Sequence, residues 1–277
     1  MGFKDLIKSI FKQKYSKVCI IIFFSIILGG IFAPYIAPHD PTAMNLSAKF
    51  QGMSLMYPMG TDNMGRCIFS RILFATRATL GFSVLCTVCA AAIGITLGMI
   101  AGYHGGIIDQ CIMRTCDVLY AFPNLVLVLV IVGFLGPGIV NVVIAMLLLQ
   151  WLWYARVTRN LAQSEKERTY IAAASISGSS DLKILFKHML PNIIPQLLAI
   201  ITIDFGHTIL SISGYSFLGI GVQPPAAEWG AMISDGRSFI NSDPMMMFWP
   251  GMMILLVVVC ANMIGDNMRN VLDKENV

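Results

Sequence analysis

The sequence has 277 residues, of which only 12% are charged (19 Lys or Arg and 15 Asp or Glu), whereas 56% are apolar. A soluble globular domain carries about 25% charged residues, and a chain this apolar cannot cover its folded surface with polar groups. The mean hydropathy of +0.73 excludes a disordered chain, and seven cysteines are too few for a disulfide scaffold. The composition therefore predicts an all-α membrane protein with several spans.

Six stretches that are almost free of charge are long enough to cross a bilayer, which takes about 20 mostly apolar residues in a helix. The stretch from Val118 to Ala155 has 38 residues, which is too long for one span. Gly136-Pro137-Gly138 is a strong turn signal and divides it into two spans. The six predicted spans are 18–38, 79–102, 118–135, 139–155, 189–221 and 244–265.

The positively charged residues indicate the direction of the spans, because cytoplasmic loops of membrane proteins carry an excess of Lys and Arg. With a cytoplasmic N-terminus, 14 of the 19 basic residues fall on the cytoplasmic side. We therefore expect both termini in the cytoplasm, and the net charge of +4 reflects this topology and not a nucleic-acid partner. The expected segments are a cytoplasmic N-terminal segment (1–17), the first span (18–38), an extracytoplasmic loop (39–77), a transmembrane core (78–270) with a cytoplasmic loop (157–190), and a cytoplasmic tail (271–277).

The N-terminal lysines followed by an apolar run also fit a secretory signal peptide. The run is longer than the usual apolar region of such a peptide. It ends in Pro34 and Pro38, where a cleavage site needs small residues. These features favour an uncleaved first span.

The cytoplasmic loop is the most informative part of the sequence. It predicts a short helix of small residues, a break at Gly178, and a second helix with Ser180 or Asp181 at its cap. Helical spacing places an apolar side opposite Lys183 and Lys187, which suits docking into a groove of another protein. The alternative is a loop that folds back on its own bundle. The candidate docking residues are Ala172, Ala173, Ala174, Gly178, Ser180, Asp181, Leu182, Leu185, Phe186, Leu190 and Pro191.

This loop resembles the Glu-Ala-Ala coupling loop of permeases in ATP-binding-cassette (ABC) importers. Ala173, Ala174, Gly178 and Leu190-Pro191 match that pattern, whereas Ala172 stands where the family has glutamate. Three further blocks resemble the dipeptide, oligopeptide and nickel permeases of this class, and Cys67 replaces the aspartate usual in the first of them. The blocks contain Gly60, Thr61, Asp62, Gly65 and Arg66; Glu228 and Trp229; and Asn262, Asp266, Arg269 and Asp273.

The resemblance implies a type I ABC importer permease in the bacterial cytoplasmic (inner) membrane. Such a chain pairs with a second homologous permease, two ATPase subunits that use ATP and Mg, and an extracytoplasmic substrate-binding protein. The sequence itself contains no Walker-type phosphate-binding motif, so we expect no enzyme activity and no cofactor in this chain. The stretches 203–207 and 228–235 are most similar to the nickel, or metal–metallophore, subgroup, and a peptide permease is the alternative.

Asp204 lies near the middle of the fifth span, where an ionisable group is costly and is a functional candidate by default. His207 is three residues later and so shares its helical face. A carboxylate and an imidazole can offer passing contacts to Ni²⁺ or to a metal chelate. The alternative is a buried polar pair that hydrogen-bonds to a neighbouring helix.

Other residues do not assemble a site from the sequence alone. Cys86 and Cys89 form one Cys-x-x-Cys within an apolar span, whereas zinc sites usually need paired motifs. No metal ligand set is therefore assigned. An intramembrane protease remains a distant alternative, since Asp204 has no second mid-span aspartate and the serines lie in apolar surroundings. A passive channel does not account for the long cytoplasmic loop.

Overall fold

The computed structural model describes residues 13–275, so the first twelve residues and the last two of the predicted terminal segments lie outside it. Within this range the regular structure is helical, apart from one isolated bridge between Thr61 and Cys67. The helices are α1 (Lys14–Ile31), α2 (Ala33–Ile36), α3 (Ile68–His104), α4 (Gly106–Tyr120), α5 (Asn124–Leu135), α6 (Ile139–Lys166), α7 (Thr169–Ile176), α8 (Asp181–Phe217), α9 (Trp229–Gly236) and α10 (Met245–Glu275).

Four helices of the described chain, α3, α6, α8 and α10, are long and apolar enough to cross a membrane. A fifth crossing forms if α4 and α5, which meet at an angle of 84°, are counted as one broken span. Helix α1 is apolar but shorter than these. The all-α membrane architecture is confirmed, whereas the six-span count stays a prediction because it requires α1 to cross as well.

The helices run between two ends of one bundle. Asn267 of α10 donates to the Ser16 hydroxyl of α1 over 2.6 Å, and Arg77 of α3 donates to the carbonyl of Gly30 at the far end of α1. Residues 13 and 275 therefore lie at the same end of the bundle. We call this the α7 end, and we call the opposite end, which carries residues 37–67, the loop end.

Helices α3 and α6 lie side by side along glycines that are four residues apart. At Gly98, a Cβ atom would lie 2.5 Å from the carbonyl oxygen of Ala155 and 2.8 Å from Cβ of Thr158. Gly94 and Gly102 meet α6 in the same way, one turn to either side. Small residues at this spacing let two membrane helices approach until their backbones touch.

The predicted spans 118–135 and 139–155 differ from the helices. The turn at Gly136–Gly138 separates α5 from α6 as expected, but the chain also breaks between α4 and α5, just before Pro123. Proline has no N–H to donate and disfavours a helical conformation in the residue before it. Helix α6 continues beyond residue 155, where the predicted span ends, and its Arg156 and Arg159 pair with Asp117 and Asp109 of α4.

The α3–α6 contact predicts the effect of adding one methyl group. Gly98→Ala should destabilise the protein by about 1–3 kcal/mol, because the surrounding backbone has to move apart. Gly81→Ala is the matched control on the same helix, since nothing lies within 4 Å of its added Cβ. Thermal unfolding of the detergent-purified protein should show a lower midpoint for Gly98→Ala only. Equal midpoints for the two variants would contradict a close helix contact.

Candidate functional site

A cavity of about 590 Å³ opens on one side of the bundle, between α5, α6, α8 and α10. Asp204 and His207 both line it, which confirms that they share a helical face. Much of the remaining wall is apolar or aromatic. The lining residues are Tyr120, Asn124, Val128, Met146, Leu149, Gln150, Trp153, Ile200, Ile203, Asp204, His207, Thr208, Ser211, Tyr215 and Arg269.

Asp204 is held by two side chains of α6 that the sequence analysis did not single out. Its Oδ2 accepts hydrogen bonds from Gln150 Nε2 at 2.7 Å and from the Tyr154 hydroxyl at 2.6 Å. Gln150 Nε2 also lies 2.6 Å from the Thr208 hydroxyl. The sequence signal was a polar pair four residues apart in an apolar span, which places both groups on one helical face.

The other side of this pair remains open to the cavity. Within residues 13–275, no hydrogen bond reaches Oδ1 of Asp204 or the imidazole of His207, and His207 is exposed. Asp204 thus takes part in helix packing and also presents an acceptor at the cavity wall. The described residues contain no group of three His, Cys, Asp or Glu side chains that could hold a metal ion. Asp204 and His207 can therefore contact a ligand in the cavity, but they do not form a complete metal site.

The first family block forms a buried ion cluster at the loop end. Arg66 Nε lies 2.6 Å from Asp62 Oδ2, and Arg66 and Arg71 both approach Asp235, at 3.4 and 3.2 Å. Asp62, Arg66 and Arg71 are each less than 5% exposed. Buried charges are tolerated when they are paired in this way. The cluster fixes the 37–67 loop to α3 and to α9, and Arg71 and Asp235 were not predicted as site residues.

Backbone geometry explains the small residues of the same block. Gly60 and Gly65 have φ values of 79° and 73°, and a Cβ at Gly65 would overlap the carbonyl of Asn45. The Thr61 hydroxyl donates to the Ala48 carbonyl and accepts from the backbone N–H of Gln51. These contacts close the loop on itself.

Glu228 and Trp229, from the second block, are fully buried. The Glu228 carboxylate accepts hydrogen bonds from the hydroxyls of Thr79 and Ser213 and from the backbone N–H of Ala231. It therefore joins α3, α8 and the first turn of α9, where a negative charge is favourable. Trp229 packs in the core of the loop end and its indole donates to the carbonyl of Ile72.

The residues predicted for the cytoplasmic loop lie at the α7 end. Ala172, Ala173 and Pro191 are exposed, and Ala174 and Leu190 are half-buried. Gly178 has a φ of 75° and open space around it, which confirms the expected break. Ser180 occupies the N-cap position of α8 without a side-chain hydrogen bond to it.

The predicted single apolar side of the second helix is wrong. Leu182 and Phe186 are 68% and 47% exposed, whereas Leu185 is only 1% exposed. The helix contains a π-helical turn, Ile184–Met189. A π turn has wider i→i+5 bonding, so side chains no longer follow α-helical spacing. The bundle core thus takes Leu185, and the two others face outward.

Two polar contacts attach this region to the bundle. Asp181, the first residue of α8, accepts a hydrogen bond from the Tyr103 hydroxyl at 3.2 Å and lies 3.4 Å from His104 Nε2. The Tyr170 hydroxyl donates to Glu165 and accepts from Asn192, so it joins α6, α7 and α8. Burial, together with the Glu165 bond, raises the pKa of Tyr170 to about 12. Tyr170 therefore remains a neutral donor.

Residues 94–276 match the family described as the binding-protein-dependent transport system inner membrane component. The chain belongs to this family. Residues 3–52 also match the N-terminal TM domain of oligopeptide transport permease C. The sequence-based assignment to the ABC importer permeases is thereby confirmed.

Curated relatives of the family cover nearly the whole chain. The nickel transport system permease protein NikC of Escherichia coli is 38% identical over 257 residues, which are 93% of both chains. The dipeptide transport system permease protein DppC of Alkalihalophilus pseudofirmus is 39% identical over 270 residues, or 98% of this chain and 89% of that one. DppC of Haemophilus influenzae is 36% identical over 270 residues, which are 95% and 92% of the two chains.

A solved structure shares the fold. A chain of the MetNI methionine ABC transporter, in an inward facing conformation, aligns with a TM-score of 0.56 at 20% identity. The alignment covers 70% of this chain and 92% of that one. The type I permease fold expected from the motifs is therefore present.

The ion cluster at the loop end predicts a large effect of a small change. Asp62→Asn should destabilise the protein by about 3–5 kcal/mol, because it leaves two buried arginines with a weaker partner. Asp40→Asn is the control in the same loop, where the carboxylate is exposed and bonds to the nearby Thr42. Thermal unfolding and protease cleavage of residues 37–67 should separate the two variants. If both behave like wild type, the cluster does not hold the loop.

Proposed function

We propose that this permease carries nickel, as a complex with an organic chelator, across the bacterial cytoplasmic membrane. The supporting observation is the cavity in which the Asp204 carboxylate and the His207 imidazole are open to a passing ligand. Oxygen and nitrogen donors suit divalent transition metals, and an incomplete site favours release over tight binding. The relative named a nickel permease agrees with this cargo.

The size of the cavity favours a chelate over a hydrated ion. Six water molecules at about 30 Å³ each give an ion with its first shell a volume of about 180 Å³. The cavity of about 590 Å³ is roughly three times larger. The apolar wall, with Met146, Leu149 and Trp153, makes no hydrogen bonds to the water shell of an ion, whereas it can pack against the carbon skeleton of a chelator.

A dipeptide is the second candidate cargo. Relatives named dipeptide permeases are as similar to the chain as the nickel permease is. In this case Asp204 would accept the protonated amino group of the peptide, and the apolar wall would contact its side chains. Both cargoes use the same residues, so only uptake of defined substrates separates them.

In the proposed complex, the α7 end faces the cytoplasm and meets two ATPase subunits that bind ATP and Mg. The exposed residues of α7 and the start of α8 form the docking surface, with Ile176, Leu182 and Phe186 as apolar contacts. A second permease covers the open side of the cavity. A substrate-binding protein delivers cargo at the loop end, and alternating closure of the two ends moves it inward.

Removing the carboxylate or the imidazole at the cavity wall should reduce uptake without lowering the amount of transporter in the membrane. Asp204→Asn and His207→Ala should each lower the rate of ⁶³Ni uptake, measured with histidine as the chelator, in cells that contain the whole transporter. Asp243→Asn is the control, because that carboxylate lies outside the cavity. Unchanged uptake by both variants at all substrate concentrations would contradict a pathway role, and faster uptake of dipeptides than of nickel would favour the second cargo.

The docking surface predicts a backbone requirement at Gly178. Its φ of 75° is costly for a β-branched residue, whereas Asn tolerates this region. Gly178→Val should therefore lose co-purification with the ATPase subunits and stimulated ATP hydrolysis, while Gly178→Asn should keep most of both. Because open space surrounds this residue, steric overlap does not explain such a difference. Normal association of Gly178→Val would argue against the docking role.

A further inference from the structure

Three sulfur atoms lie close together between α1 and α10, and none of them belongs to a residue that lines the cavity. The Cys19 thiol donates to the thioether of Met263 over 3.5 Å. The Cys260 thiol is near enough to the Cys19 thiol for the two to interact. Cys260 and Met263 are three residues apart on α10, so they project from the same face toward α1.

The surroundings of the three sulfurs are apolar and largely closed. Cys19 and Cys260 are 7% and 2% exposed, while Met263 is partly exposed and leaves a route of entry. The bond between Ser16 and Asn267 lies about one turn from the sulfurs, toward the α7 end.

Their separation is close to that of ligands in a metal site. Metal–sulfur bonds are about 2.3 Å long, so three sulfurs around one ion in a plane lie about 4.0 Å apart. The observed 3.5 Å between Cys19 and Met263 needs an adjustment of only a few tenths of an ångström. Two unbranched side chains of Cys and a flexible Met can make this adjustment without moving the helices.

We propose that Cys19, Cys260 and Met263 form a binding site for a soft monovalent cation of the Cu(I) class. Thiolate and thioether ligands select Cu(I) over the harder divalent ions. Binding releases both thiol protons, because the thiolate and not the thiol is the metal ligand. Two thiolates, one thioether and a monovalent ion then carry one net negative charge. Zinc, in contrast, prefers four ligands. The ion would link α1 to α10 and hold the first helix against the bundle.

The test measures retention of Cu(I) by the purified full-length chain under anaerobic, reducing conditions with bicinchoninate as competitor. A Cys111→Ser background removes the exposed thiol of α4. We expect one Cu(I) per chain, and Cys19→Ser or Cys260→Ser should weaken binding at least about tenfold, since even changes outside the ligand shell cost 10–100-fold. Cys116→Ser, a buried cysteine of α4, is the control and should bind as the background does.

X-ray absorption of the bound copper gives an independent readout. We expect a shell of sulfur only, at about 2.3 Å, and a smaller coordination number in Met263→Leu. Failure of the background protein to hold Cu(I) against the competitor would overturn the site, as would equal binding by the Cys19→Ser, Cys260→Ser double variant. A nitrogen or oxygen shell in the background protein would overturn it even if a variant does not fold. Nickel or peptide uptake does not enter this test.

Discussion

The close contact between α3 and α6 is the constraint on which the rest of the structure depends. In a bilayer, two helices gain little from burying apolar side chains, so backbone proximity and van der Waals contact hold them together. The glycines of α3 bring α6 near enough for Gln150 and Tyr154 to reach Asp204 on α8. A wider spacing would leave that carboxylate without donors in apolar surroundings, which is costly.

At each level of the bundle, buried carboxylates receive hydrogen-bond or ion-pair partners from neighbouring helices. At the loop end, Glu228 receives three donors, and Asp62 is paired with arginines. At mid-height, Asp204 receives two donors on one oxygen only. The contrast is informative, because a group that serves packing alone is expected to be fully satisfied, as Glu228 is. Asp204, with one oxygen that accepts no hydrogen bond within residues 13–275, lines the cavity, which supports the proposed role toward a ligand.

The sequence predicts the parts of the fold that depend on composition and local signals. Low charge and apolar runs indicated membrane helices, and Gly136–Gly138 and Gly178 ended helices where expected. Helix α6 extends beyond the predicted span 139–155, and its arginines pair with Asp109 and Asp117 of another helix, which no local pattern in the sequence indicates. The π turn in α8 changes which leucine is buried, and no local pattern in the sequence announces it.

The candidate site divides in the same way. Asp204 was recognisable because one carboxylate in an apolar span is conspicuous, whereas Gln150 and Tyr154 acquire meaning only when α6 is placed beside α8. Arg71 and Asp235 are 164 residues apart, and their contact depends on α9 folding back to the loop end. Pairings of this kind follow from tertiary packing, which is not encoded in any short segment.

Two helices connect the α7 end to the rest of the bundle, and they differ in stiffness: α3 leads to the loop end, and α8 leads to Asp204 at the cavity. Helix α3 runs without a break from Tyr103 and His104, which contact Asp181, to Thr79, which contacts Glu228. Helix α8 links Asp181 to Asp204 through a π turn and past Pro195, both of which allow a helix to bend. In the proposed importer, a displacement at the docking surface therefore reaches the loop end as a rigid movement of α3, together with α6.

The same displacement can be absorbed by bending of α8, so Asp204 can move relative to Gln150 and Tyr154 of α6. Such a difference would change the contacts of the carboxylate between the two states, which is what a pathway group needs if it is to bind cargo in one state and release it in the other.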